Sequence, residues 1–204
     1  MKEKSINPSL QLILDIAERL IVEKGCRNTT LQDIADQGGL TKGAIYHYVK
    51  SKDELFALIL EAGLQQANRL FLESVSDAAA HKTGPAGPFE ALSVRLQNMA
   101  GGSSAANLIF IYLLSQKDNP AVTNMLNRYY ETSIQMTKKW IEVGKRHNVI
   151  PGYINEEKAA RMFAILRNGL QIQNILTPDS GTVSDRELYE FLMNALGVKD
   201  ASPQ

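Results

Sequence analysis

A single cysteine, Cys26, occurs among the 204 residues. An intramolecular disulfide is therefore excluded, and nothing around Cys26 suggests a metal site. Long apolar runs are missing as well. The longest wholly apolar stretch, Leu108 to Leu114, falls far short of the ~20 residues that a membrane span needs. Near the start, Lys2 and Lys4 are followed by Pro8, Asp15, Glu18 and Arg19 rather than by the apolar core of a signal peptide. Histidine is scarce: His47, His81 and His147 stand far apart. No glycine-rich phosphate loop, paired-histidine metal motif or nucleophile elbow accompanies them. No catalytic residue, metal or cofactor is expected, and a cytoplasmic protein without membrane attachment follows by elimination. Net charge is lacking too, with 22 basic and 22 acidic residues, so the field of the whole molecule does not draw it to nucleic acid.

What is present is a helical grammar. The composition, 44% hydrophobic and 22% charged, suits one globular domain or two small ones with a real core. Asn7 and Pro8 open a first helix carrying Leu10, Ile13, Leu14, Ala17, Leu20 and Ile21, and Gly25 stops it. Thr30 caps a second, in which Leu31, Ile34 and Ala35 share a face, and Gly38 and Gly39 break it. Thr41 caps a third, running to about Tyr48 or Val49. Ser51 and Glu54 form a capping box for a fourth, unbroken until the glycine and proline cluster between His81 and Pro88. A fifth helix is expected from about Phe89 to Ala100 and a sixth from about Ser104 to Gln116. Asn119 and Pro120 open a seventh, Asn155 an eighth, and Ser184 with Glu187 a ninth. Alternating strand patterns are absent, so the expected class is all-α with about nine helices.

The distribution of charge singles out the third helix. From Gln37 through Lys52 there is no acidic residue, while Lys42, Lys50 and Lys52 are basic. Two short helices joined by a glycine turn are often plain packing, but here the third begins with small or cationic residues, Thr41, Lys42, Gly43 and Ala44. Such a helix start can approach base edges in the major groove. Lys42 can donate to guanine O6 and N7, and the methyl of Thr41 or Ala44 can meet a thymine methyl. Tyr46, His47 and Tyr48 can donate from their polar tips to phosphates, while Ile45 and Val49 supply an inward face. Thr30 and Lys52, at the starts of the second and fourth helices, are placed at phosphates. Asp33, Asp53 and Glu54 fall in first turns, where a carboxylate interacts with the helix dipole and, turned sideways, need not oppose DNA.

The run TTLQDIADQGGLTKGAIYHYVKSKDELF, Thr29 to Phe56, closely resembles the DNA-binding signature of the TetR family of transcriptional regulators, and the preceding AERLIVEKG resembles the end of that family's first helix. Val49 departs from the pattern, standing where the family usually has an aromatic residue. The resemblance implies that Thr30, Thr41, Lys42, Gly43, Tyr46, His47, Tyr48 and Lys52 lie at a DNA interface. It implies a helix-turn-helix domain over residues 1–53 and a ligand-binding and dimerisation domain over 54–204. A repressor released from a palindromic operator by a small molecule is the implied mechanism.

The eighth helix is apolar over a wide arc. Phe163, Leu166 and Leu170 form one stripe, and Met162, Ile165, Gly169 and Ile172 form its neighbour. The ninth offers Leu188, Phe191, Leu192, Ala195 and Leu196. Two apolar sides need two things to bury against, either within one subunit or across two. The resemblance favours a homodimer through these last two helices. From Leu96 through Gln116 no residue is charged, so a largely apolar inducer is expected among Met99, Phe110, Leu113, Tyr130, Ile134, Trp140, Phe163 and Leu166. The competing reading is a helical small-molecule sensor without specific DNA binding, which a gel shift would distinguish.

Overall fold

The computed structural model describes residues 7–81, 104–176 and 183–198. Among these residues there are eight helices and no strand. They are α1 (Pro8–Asn28), α2 (Leu31–Gly38), α3 (Lys42–Tyr46), α4 (Lys52–His81), α5 (Ala105–Ser115), α6 (Pro120–Arg146), α7 (Glu156–Leu176) and α8 (Asp185–Ala195). The helix expected over Phe89 to Ala100, and the loop before it, lie outside the described residues. No helix among the described residues is long and apolar enough to cross a membrane.

Local chemistry accounts for the boundaries. Asn7 Oδ1 accepts from Ser9 N–H, with Pro8 at the first helical position of α1. Gly25 leaves helical geometry at φ 79°, yet one further turn follows to Asn28. Thr30 Oγ1 accepts from Asp33 N–H at 3.1 Å, and the Asp33 carboxylate accepts from Thr30 N–H at 2.8 Å. This reciprocal pair is the capping box that starts α2. Gly39 ends α2 in the left-handed region, φ 60°, where a side chain would be strained. Thr41 Oγ1 accepts from Ala44 N–H to start α3. Ser184 and Glu187 form a second complete capping box at α8.

Two expectations are corrected. α3 ends at Tyr46, earlier than Tyr48 or Val49, in a closing turn where the Ile45 carbonyl accepts from both Tyr48 N–H (2.9 Å) and Val49 N–H (3.2 Å). At α4 only half of the expected box forms. Ser51 Oγ accepts from Glu54 N–H, but the Glu54 carboxylate reaches past Ser51 to Lys50 N–H at 2.6 Å.

Two compact units divide the described residues. The first comprises those of Met1–Gly63 and Ser103–Tyr129. Its core contains Ile13, Ile21, Ile34, Ile45, Leu55, Phe56, Ile59, Ile109 and Leu113, all fully buried. α1 packs on α2 and on α5, and α2 packs on α3. The second unit comprises the described residues of Leu64–Gly102 and Tyr130–Gln204. There Leu170 of α7 packs with Leu188 and Leu192 of α8, flanked by Phe163 and Leu166. Ile134 of α6 packs with Ala160 and Ala164 of α7, flanked by Tyr130. Ion pairs from Lys138 to Glu157 (2.6 Å) and Lys145 to Glu156 (2.7 Å) join the same two helices.

Candidate nucleic-acid interface

The first unit presents α3 as a short shelf with two faces. Ile45 and Val49 point inward and are buried, so the smaller Val49 still plugs the position under the helix. Thr41, Lys42, Gly43, Tyr46 and His47 are exposed, and Ala44 and Tyr48 are partly so. Lys42 Nζ stands 5.8 Å from the Tyr46 ring centroid, and the His47 and Tyr48 rings meet edge to face at 5.2 Å. A cation and several hydroxyl and imidazole donors thus share one outward surface anchored by two aliphatic residues. No methyl or methylene crowds its centre, because a Cβ added at Gly43 would meet only Thr41 Oγ1 at 3.9 Å. Thr30, also exposed, stands at the start of α2 with its hydroxyl occupied by the capping box.

The acidic residues of the segment are turned to other tasks. Asp33 binds Lys24 at 2.8 Å as well as Thr30, and these hydrogen bonds hold its carboxyl down at about 2. Asp53 accepts from the Tyr112 hydroxyl at 3.1 Å. Burial, reinforced by the Asp53 charge, pushes that phenol up to about 12. Glu54 serves Lys50 N–H.

Lys52 points differently from the sequence expectation of a phosphate contact. Its ammonium donates to the carbonyls of Cys26 (3.0 Å) and Arg27 (3.3 Å), where α1 ends and a positive charge complements the helix dipole. It also lies 5.7 Å from the Phe56 ring centroid and 5.3 Å from that of Tyr112. Burial of Cys26 beside it pushes the thiol up to about 11. Tyr112, in the sequence one position of an apolar run, is thus the residue that sequence reasoning misses. Its one signal was a hydroxyl amid seven otherwise unfunctionalised apolar positions.

The residues expected to hold a ligand do not form one cluster by unit. Phe110 and Leu113 fall in the first, where Leu113 is fully buried. Tyr130, Ile134, Trp140, Phe163 and Leu166 fall in the second. Trp140 Nε1 donates to Asn68 Oδ1 at 2.9 Å, and its indole stacks on Phe71 at 5.0 Å. Met99 lies outside the described residues.

Two short helices about a glycine turn, with an exposed cationic helix start, have the form of a DNA-binding helix-turn-helix. The family model for bacterial regulatory proteins of the tetR family matches residues 13–59. The chain is 26% identical over 192 residues to the uncharacterized HTH-type transcriptional regulator YfiR of Bacillus subtilis, covering 87% of each chain. To the HTH-type transcriptional regulator AcrR of Shigella flexneri it is 43% identical over 63 residues, 31% of this chain and 29% of that one. Among solved structures, Salmonella enterica GusR superposes with a TM-score of 0.66 at 20% identity, covering 97% of this chain and all of that one. Residues 13–59 thus resemble the DNA-binding part of the TetR family, and most of the chain is similar to an HTH-type transcriptional regulator. Members of that family bind DNA operators and small-molecule ligands, typically as dimers.

Proposed function

We propose that the chain is a homodimeric cytoplasmic repressor that holds a palindromic operator through two helix-turn-helix heads and leaves it when a small, largely apolar molecule binds. The observation that carries the DNA half is the two-faced α3, with Ile45 and Val49 buried beneath Thr41, Lys42, Gly43, Tyr46 and His47. In this reading residues 1–53 are the DNA-binding domain and 54–204 the ligand-binding and dimerisation domain. Lys42 reads a guanine, Thr41 and Ala44 present methyl groups to thymine, and Tyr46, His47 and Tyr48 fix register on phosphates. Gly43 admits the backbone close to the groove, and Thr30 holds the start of α2 at a phosphate. Lys52 contributes from inside, by tying the start of α4 to the end of α1.

Dimerisation is supported by an apolar seam on the second unit. Met162 and Ile165 are each 62% exposed on α7, Ile172 and Leu176 continue the line, and Phe191 of α8 is 55% exposed. With Gly169, the spacing 162, 165, 169, 172, 176 repeats three and four residues, the spacing of a helix packed lengthwise on another helix. The other stripe of α7 is already spent inside the chain on Leu188 and Leu192.

For the ligand, Tyr130, Ile134, Trp140, Phe163 and Leu166 of the second unit are the proposed apolar wall, with Asn68 as an orienting polar group. Two measurements test the whole reading. Selection of bound DNA from a random pool, with and without candidate ligands, should return a palindrome whose half-sites lie about one helical turn (~34–36 Å) or a multiple apart. An unenriched pool refutes it. Titration of the Trp140 fluorescence should respond to apolar compounds, and a response to highly charged metabolites alone, with release of DNA, refutes the apolar inducer.

A further inference from the structure

The first turn of α4 is held from two sides by side chains remote in sequence. On one side Lys52 Nζ caps the carbonyls of Cys26 and Arg27 at the end of α1. On the other stands Tyr112 of α5, which engages three residues of that turn and the next. Its hydroxyl donates to Asp53 Oδ1 at 3.1 Å, its ring lies under the Lys52 ammonium, and its edge meets Phe56 at 5.6 Å and 75°. Phe56 is fully buried, so this contact belongs to the core. Only residues 47–51 separate the end of α3 from α4, and Val49 within them is buried. So short a connection makes the placement of α3 depend on that of the first turn of α4.

We propose that Tyr112 is a positioning residue for DNA recognition: through Asp53 and Lys52 it fixes the first turn of α4, and with it the angle at which α3 is offered to the operator. This rests on the DNA-binding reading above. Two heads must meet two half-sites at a set spacing, so any freedom of α3 lowers the fraction of molecules competent to bind and weakens the observed affinity by that fraction. Neither Tyr112 nor Asp53 needs to touch DNA for this.

Tyr112→Phe tests the idea, because it keeps the ring, the cation contact and the packing on Phe56 while removing the hydroxyl. The full-length variant is titrated with the selected operator duplex well below its unfolding temperature, with the active fraction counted by stoichiometric titration. The dissociation constant should rise roughly threefold to tenfold, about the net worth of one typical intramolecular hydrogen bond. The slope of log affinity against log salt should stay at the wild-type value, since no phosphate contact is lost. In an Asp53→Ala background the same substitution should have no further effect. An affinity within twofold of wild type, a changed salt slope, or an equal loss in the Asp53→Ala background would each overturn the proposal. Amide exchange of the free protein gives a readout that needs no operator. Exchange over residues 41–49 should quicken in Tyr112→Phe while that of residues 13–21 in α1 is unchanged, and an unaltered pattern also overturns it. Failure of the wild type to select any DNA would count against the repressor reading, leaving the exchange experiment to decide this one.

Discussion

Lys24 Nζ lies 2.8 Å from Asp33 Oδ2, tying the last turns of α1 to the first turn of α2. The same carboxylate accepts from the Thr30 backbone and hydroxyl. Hydrogen bonds from Lys24 and then Thr30 lower its pKa from 3.8 to about 2. A depressed acid adds stability that is fully present above its unfolded value and is lost as pH falls through the folded one. The difference in thermal midpoint between wild type and Asp33→Asn should therefore be constant from neutral pH down to near 4. It should shrink towards zero between about pH 4 and 2. Circular dichroism melts at stepped pH check this; a difference still full-sized at pH 2 contradicts it.

Lys42 and Lys52 should separate by what they disturb. Lys42 is exposed over Tyr46 with no carbonyl to cap. Lys42→Ala should leave stability within about 0.5 kcal/mol and relax preference at one base pair per half-site by ~1–3 kcal/mol. Lys52→Ala removes two charge-assisted bonds at the end of α1 and should destabilise the fold by about 1–2 kcal/mol. Because its ammonium is engaged by the Cys26 and Arg27 carbonyls, the salt dependence of binding should hardly change. Chemical denaturation and operator titrations across salt decide both, and a loss of one unit of salt slope in Lys52→Ala would return that lysine to the phosphates.

Neighbours on α3 should behave oppositely. Ile45 is fully buried and Tyr46 is 48% exposed. Ile45→Ala opens a cavity and should cost about 2–5 kcal/mol of stability. Tyr46→Ala should change stability little and weaken operator binding instead. Denaturation midpoints beside binding curves give the comparison, and equal stability losses would mean that α3 is not a two-faced shelf.

Ile165→Asp should dissociate the proposed dimer. A two-fold interface carries each substitution twice, and each buried unpaired carboxylate costs on the order of 3 kcal/mol or more. Sedimentation at micromolar concentration should then give a monomer with its helical content intact and its operator affinity lost. A dimer of unchanged affinity would move the interface away from the seam through Met162 and Ile172.

The parts of this fold that were legible in the sequence are those written locally. Thr30, Thr41, Gly39 and Ser184 with Glu187 set helix ends within four residues of themselves, and each does so in the structure. The two stripes of α7 were legible as well, because helical spacing alone separates Leu170 from Ile165. Lys52 was not. Its ammonium meets carbonyls about 25 residues away in sequence, and a lysine after a turn reads equally as solvent-facing or inward. Tyr112 and Asp53, 59 residues apart, met through tertiary packing that no periodicity encodes. The proposed ligand wall is hardest to read, since Tyr130, Phe163 and Leu166 carry the same apolar pattern whether they line a cavity or, as beside Ala160 and Leu188, pack into core clusters.

The lone thiol of Cys26 supplies the protein with a built-in clock. It is 6% exposed, and burial pushes its pKa up to about 11, so an alkylating reagent at neutral pH finds neither access nor thiolate. Modification then proceeds only through moments when the end of α1 parts from α4. The rate at which a reagent consumes this one site, divided by the rate for an open cysteine, measures the fraction of time for which the end of α1 stands open in the native molecule. No other cysteine competes for the label, so every labelled molecule records such an opening.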